Sequence, residues 1–120
     1  MMHTAPVLRL NAAQVAQLIG YCTTYRSFLW RSALPTLERN QMLRSLQALQ
    51  GRLEKAREHA QVGIALLLTR EEQHTLKQLL SGLIQMYGNA PPSEQRNQAL
   101  GELAACRLAI QRMLDQMQPL

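Results

Sequence analysis

Apolar positions recur at alternating steps of three and four residues in four stretches of the chain, which is the spacing of helices that bury one face. In the first half these stripes are Val15, Leu18, Cys22, Tyr25 and Leu29, then Met42, Leu46, Leu49, Leu53, Ala56 and Ala60. In the second half they are Leu76, Leu80, Leu83 and Tyr87, then Leu103, Cys106, Ile110, Met113 and Met117. The pattern predicts four helices.

Capping residues and helix-breaking residues set the expected ends of these helices. The predicted caps at the helix starts are Asn11, Thr36, Thr69 and Ser93. Two of them are followed three residues later by a glutamine or glutamate, Gln14 and Glu72, which predicts reciprocal capping boxes. The first helix is expected to end by about Pro35, the second at Gly63 and the third at Gly88.

The chain repeats itself at a period of 57–58 residues. The phrase Arg-Asn-Gln begins at Arg39 and again at Arg96, each time after a proline and a small hydroxyl residue. Residues 66–69 likewise repeat residues 8–11 with an offset of 58. The slip of one residue falls in a loop, where length changes are tolerated. We therefore predict a tandem duplication with repeats 7–62 and 63–120.

Each repeat reads as a short extended segment, a cap, a helix, a proline turn and a long helix. Two such hairpins predict an all-α fold, a four-helix bundle in a single domain of residues 1–120. Extra apolar residues flank the stripes of the first and third helices, so these two helices are expected to meet near the repeat axis. The extended segments are Val7–Leu10 and 64–68. Their pairing as a minimal β-ribbon is left open, because an isolated strand pair is only marginally stable.

Composition and cysteine use narrow the class of protein. The 120 residues are 47% hydrophobic, which is typical of a folded chain. Cys22 and Cys106 each lie in an apolar helical pattern and are expected to be free thiols in a reducing compartment. Residues 1–7 contain no apolar signal-peptide core, and no stretch approaches the roughly 18 apolar residues of a membrane span. These features predict a soluble, cytoplasmic protein with no membrane partner.

Patterns that would indicate catalysis or metal binding are weak. The chain contains no Ser/His/Asp arrangement, glycine-rich phosphate loop or Cys-x-x-Cys pair. Glu71 and His74 match the Glu-x-x-His spacing of di-iron bundles, but the equivalent residues in the first repeat are Ala13 and Ala16. We therefore predict a protein that is not an enzyme and that uses no cofactor and no metal.

Positions where the repeats differ are the better candidates for function. The outer face of the fourth helix is small and apolar, and its residues are Leu100, Gly101, Ala104, Ala105 and Leu108. On a monomer this face would be an exposed strip, which favours a homodimer or a partner helix. The alternative is that the strip packs inside the bundle.

The equivalent face of the second helix is basic. The net charge of +5 arises entirely before Ala60, where eight basic residues oppose three acidic ones. Candidate nucleic-acid contacts are Arg26, Arg31, Arg44, Arg52 and Lys55, which could follow a phosphate backbone through charge alone. Glu54 and Glu58 lie on the same helix, so a merely solvated face is favoured over this interpretation.

The repeated Arg-Asn pairs and the aromatic residues also have competing interpretations. Two polar pockets built from Arg39, Asn40, Arg96 and Asn97 are one alternative. The favoured one is that these side chains bond the loop and extended segment of the neighbouring repeat. The aromatic cluster of Tyr21, Tyr25, Phe28 and Trp30 could form a stacking platform, but packing explains the first three.

Three function hypotheses follow. The first is a non-enzymatic helical scaffold or adaptor that acts through homodimerisation or partner-helix binding. The second is a small basic nucleic-acid-binding protein that uses the second-helix face. The third is an enzyme or ligand carrier with a pocket between the hairpins.

Overall fold

The computed structural model describes residues 7–59 and 63–116, and in these ranges it contains four helices and one pair of strands. The elements in chain order are β1 Val7–Leu10, α1 Ala12–Trp30, α2 Thr36–His59, β2 Ile64–Leu67, α3 Arg70–Gly88 and α4 Glu94–Gln116. The predicted all-α, four-helix arrangement is confirmed. Ala60 and Met117 of the predicted stripes lie outside the described residues.

Both predicted capping boxes are present. At the start of α1 the Asn11 side chain accepts from the Gln14 N–H at 2.8 Å, and the Gln14 side chain accepts from the Asn11 N–H at 2.9 Å. Thr69 and Glu72 exchange the same pair of bonds at the start of α3. Two otherwise unpaired backbone donors are therefore satisfied at each start, which fixes where these helices begin.

The two long helices begin differently from each other. The Ser93 hydroxyl accepts from the Arg96 N–H at 3.0 Å, so the predicted cap of α4 is confirmed. The predicted Thr36 cap is wrong by one residue, because the Pro35 carbonyl already accepts from the Arg39 N–H at 2.9 Å. That bond includes Thr36 in the first turn of α2.

The extended segments pair, which resolves the open alternative. β1 and β2 are antiparallel, with Leu8 opposite Leu66. These two residues are equivalent positions of the two repeats, so the local two-fold axis of the strand pair passes between them. Leu8 and Leu10 of one segment and Leu66 and Leu68 of the other are buried. The ribbon is stable because it packs on the helices and does not stand alone.

Each strand of the ribbon packs against the long helix of the other repeat. β1 lies against α4, and β2 lies against α2, so each strand covers the long helix of the other repeat. α1 and α3 also contact each other, as predicted, and each packs on the helix that follows it. A single hydrophobic cluster therefore runs through both hairpins.

On the two long helices, two core residues fall outside the predicted stripes. Leu43 and Leu114 are buried, whereas Tyr25, Met42 and Cys106 of the stripes are only partly buried. α2 packs on both α1 and α3, and α4 packs on both α3 and β1. Because each long helix has two neighbours, its buried arc is wider than a stripe that faces a single partner.

Candidate functional site

The outer face of α4 is exposed to solvent. We call this face the α4 strip, and its residues are Leu100, Gly101, Ala104, Ala105 and Leu108. Leu108 is 53% exposed, and only Leu100, at the edge, is half-buried. The alternative that the strip packs inside the bundle is wrong, because the core-facing side of α4 carries Leu103 and Ile110.

The equivalent face of α2 has a different character. Arg44, Gln47 and Lys55 are exposed there, and Gly51 occupies the position equivalent to Leu108. A Cβ added at Gly51 would meet nothing within 4 Å, so the space above this position is open. Of the two long helices, α4 thus presents a protruding apolar side chain where α2 presents none.

Two of the five candidate nucleic-acid contacts bond other groups of the chain. Arg52 pairs with Glu72 and also donates to the Leu67 carbonyl at 3.0 Å. Arg26 donates to the Gln50 side chain at 3.1 Å. These bonds tie α2 to β2 and α3 on one side and to α1 on the other.

The other three cations are exposed but spread out. Arg31 follows the end of α1, while Arg44 and Lys55 lie on α2 about three turns apart, roughly 16 Å along the helix. Glu54 lies beside Lys55 in sequence and accepts from Gln50 at 3.2 Å. The structure therefore brings no dense cluster of cations together from these five residues, and nucleic-acid binding stays a prediction.

The two equivalent arginines of the repeated phrase are used in different ways. Arg96 donates to the carbonyls of Tyr87 and Gly88, both at 3.0 Å, at the end of α3. Arg39 instead lies over the Trp30 ring, 5.7 Å from its centroid. The prediction that these side chains bond the neighbouring repeat is wrong, because both arginines act within their own hairpin.

Most of the aromatic cluster is explained by packing. Tyr25 stacks on Phe28 with ring centroids 5.9 Å apart, and its ring covers Gly82 of α3 so closely that a Cβ there would overlap it. The Tyr21 hydroxyl accepts from Gln17 at 2.9 Å, and burial raises the pKa of this phenol. Trp30 differs, since it is 62% exposed.

Two grooves separate the hairpins. One lies between α2 and α3 and has a volume of about 420 Å³, and the other lies between α1 and α4 and has a volume of about 360 Å³. Both fall within the range of small-molecule sites. Pockets between the hairpins, which the third hypothesis required, are therefore present.

The thiols are poorly suited to act as nucleophiles. Both cysteines are free, and burial raises the pKa of Cys22 to about 12 and also raises the pKa of Cys106. A thiol with a raised pKa is mostly protonated near neutral pH and is therefore a weak nucleophile.

Across residues 7–59 and 63–116, no group of three or more His, Cys, Asp or Glu side chains is placed to hold a metal ion. No helix in those ranges is long and apolar enough to cross a membrane.

The groove between α2 and α3 contains polar side chains that the sequence did not single out as a group. Its walls include Glu38 and Gln41 from α2 and His74 and Gln78 from α3. A comparison of the two repeats would have pointed to two of these residues, because alanine and glycine occupy the positions equivalent to His74 and Gln78.

No known protein family, curated protein or solved structure matches this chain.

Proposed function

We propose that the chain is a non-enzymatic helical interaction module that self-associates through the α4 strip. The observation that carries this proposal is the 53% exposure of Leu108, at one end of a strip whose other residues are Leu100 and the small residues Gly101, Ala104 and Ala105. Burying such a leucine against a partner stabilises a complex by roughly 1.5–3 kcal/mol. Contiguous apolar surface of this kind is typical of protein interfaces.

The composition of the strip favours a helix as its partner. Gly101, Ala104 and Ala105 carry little or no side chain, which lets a second helix axis approach closely. In an antiparallel pairing of two α4 helices, Leu108 of each copy lies over Gly101 and Ala104 of the other. A parallel pairing would instead place Leu108 against Leu108.

A second copy of the chain fits this geometry. A two-fold interface uses the same patch on both subunits, so the patch must be complementary to itself. The strip meets this condition, because it offers a leucine at each end and three small residues between them. We therefore expect a homodimer.

Light scattering coupled to size-exclusion chromatography tests this proposal. The wild-type chain should elute at twice its mass of 13.6 kDa, and Leu108→Arg should elute at the mass of one chain. A charge at position 108 would have to be buried without a partner in the dimer, which is strongly unfavourable. Circular dichroism should show unchanged helicity in the variant.

Leu67→Arg is the matched control. Leu67 is 55% exposed on β2, so it receives the same substitution at similar exposure outside the strip. This variant should remain dimeric. A monomeric wild-type chain, or a dimeric Leu108→Arg variant, would contradict self-association through α4.

A further inference from the structure

The groove between α2 and α3 combines an apolar floor with polar walls. Tyr25, Leu34 and Met42 supply apolar surface at the end near the α1–α2 turn. Leu34 is 44% exposed, so its side chain is available to a bound molecule. An apolar body and a few polar contacts are what small-molecule sites usually offer.

The side chains that line this groove favour a ligand with a positive charge. Glu38 is the only acidic residue among the described residues that line the groove, and none of them is Lys or Arg. This is unusual for a chain with 13 basic and 8 acidic residues. The Glu38 carboxylate therefore attracts a cation to this groove.

The polar groups of this groove are available for binding. Within residues 7–59 and 63–116, no hydrogen bond or ion pair engages the side chains of Glu38, Gln41, His74 or Gln78. Their carboxylate, amide and imidazole groups can therefore bond a ligand without first breaking an internal bond.

The groove between α1 and α4 provides the contrast. Its polar side chains are already engaged: Gln14 accepts in the capping box, Gln17 donates to Tyr21, and Glu102 accepts from Gln98 at 3.4 Å. A ligand there would have to displace these bonds. The observations therefore single out the groove between α2 and α3.

We propose that this groove binds a small organic amine, with the ammonium group at Glu38 and the apolar body against Tyr25 and Leu34. The ammonium donates to the Glu38 carboxylate and to the Gln41 or Gln78 side-chain oxygen. Its apolar part is removed from water by the aromatic and aliphatic floor. The proposal is independent of self-association, because the α4 strip does not line this groove.

Phenethylamine is a suitable probe, and binding can be followed by amide chemical shifts of the ¹⁵N-labelled full-length chain. Saturable shifts should be confined to residues around 25–34, 38–45 and 74–78, with a Kd on the order of 1 mM for so small a molecule. The neutral analogue 2-phenylethanol should bind more weakly, and added salt should weaken only the amine.

Two variants test the assignment. Glu38→Gln should weaken amine binding roughly three- to tenfold, because it removes a solvent-screened charge. Ser45→Phe, at an exposed position on the groove wall, should abolish binding by filling the groove. Both variants should retain the helicity of the wild-type chain.

Glu94→Gln is the matched control, because Glu94 is the acidic residue in the first turn of α4 as Glu38 is in the first turn of α2. Its affinity for phenethylamine should equal that of the wild-type chain. Absence of saturable shifts, equal affinity for 2-phenylethanol, or unchanged affinity in Glu38→Gln would overturn the proposal.

Discussion

The hairpins meet in two regions, called joints here: one where α2 meets β2 and α3, and one between α4 and α1. The two joints differ in their side-chain contacts. Where α2 meets β2 and α3, Arg52 pairs with Glu72, whereas the equivalent residues at the joint of α4 and α1 are Ala109 and Gln14. Both joints nevertheless hold helices of nearly equal length around one core. The joint with the ion pair is also the more closely packed one, because α2 contacts α3 whereas α4 packs on α3 and β1. A partly exposed ion pair of this kind contributes only modestly to stability.

The two grooves between the hairpins also differ in which of their polar side chains form internal hydrogen bonds. Residues that the repeats share, such as the buried leucines, build the hairpins, and residues that differ set the chemistry of each groove. Glutamine and glutamate side chains are bonded internally at one groove and not at the other. Substitutions at equivalent positions can separate these two roles.

The largest effects are expected in the shared core. Leu46 and Leu103 are equivalent, and both are completely buried. Leu46→Ala and Leu103→Ala should each lower the free energy of unfolding by about 2–5 kcal/mol, because each leaves a cavity between packed helices. Urea denaturation measures both. Leu37→Ala, at an exposed position, should change stability by no more than about 0.5 kcal/mol. Clearly unequal costs at the two leucines would show that the hairpins do not share the core evenly.

The equivalent arginines should differ by a smaller amount. Arg96→Ala removes two charged hydrogen bonds from the end of α3 and should cost about 1–2 kcal/mol. Arg39→Ala removes a contact with the Trp30 ring and should cost about 0.5–1 kcal/mol. The buried Nε of Arg39 has no partner among the described residues, which further lowers the expected cost. Denaturation of the two variants side by side provides the measurement, and a greater loss at Arg39 would reverse the comparison.

The smallest effect is expected at the ion pair, and it should depend on pH. Burial by itself would raise the pKa of the Glu72 carboxyl, but hydrogen bonds from Thr69 and pairing with Arg52 hold it below its usual value of 4.5. A lowered pKa contributes stability above the unfolded-state pKa, and this contribution is lost as pH falls through the folded-state pKa.

Glu72→Gln reproduces the residue that the first repeat carries at Gln14, so the capping bond can persist. The variant should lose at most about 1 kcal/mol at pH 7, because the Arg52 side chain is 43% exposed. The difference from the wild-type chain should shrink as the pH falls below 4.5 and through the lowered pKa of Glu72, because the wild-type side chain then also becomes neutral. Thermal denaturation across this pH range measures the effect. A loss that persists at low pH would assign the role of Glu72 to capping and not to charge.

Local signals in the sequence predicted most of the helix starts. The Asn11 and Thr69 capping boxes and the Ser93 cap depend on residues within three positions of each other, so the sequence alone suffices to predict them. The Thr36 cap failed by one residue, because the adjacent Pro35 carbonyl enters the first turn. The buried leucines Leu43 and Leu114 were missed, because their burial depends on a second neighbour of each long helix.

The candidate sites were predicted less completely. The α4 strip followed from comparing the two repeats, since a difference in polarity is visible without coordinates. The residues that line the groove between α2 and α3 were not predicted, because Glu38 and His74 are far apart in the sequence and line one groove only in the folded chain. The internal hydrogen bonds that distinguish the groove between α1 and α4 from this one depend on distances between side chains, which a sequence does not give.

The sequence by itself predicted the internal repeat, the four helices and three of the four caps, since periodicity and capping act over a few residues. Tertiary structure alone decided the pairing of Leu8 with Leu66, the exchange of strands between repeats and the identity of the engaged polar groups. The physical reason is that each of these depends on contacts between residues far apart in the chain. Such contacts form only when both hairpins bury their apolar faces together.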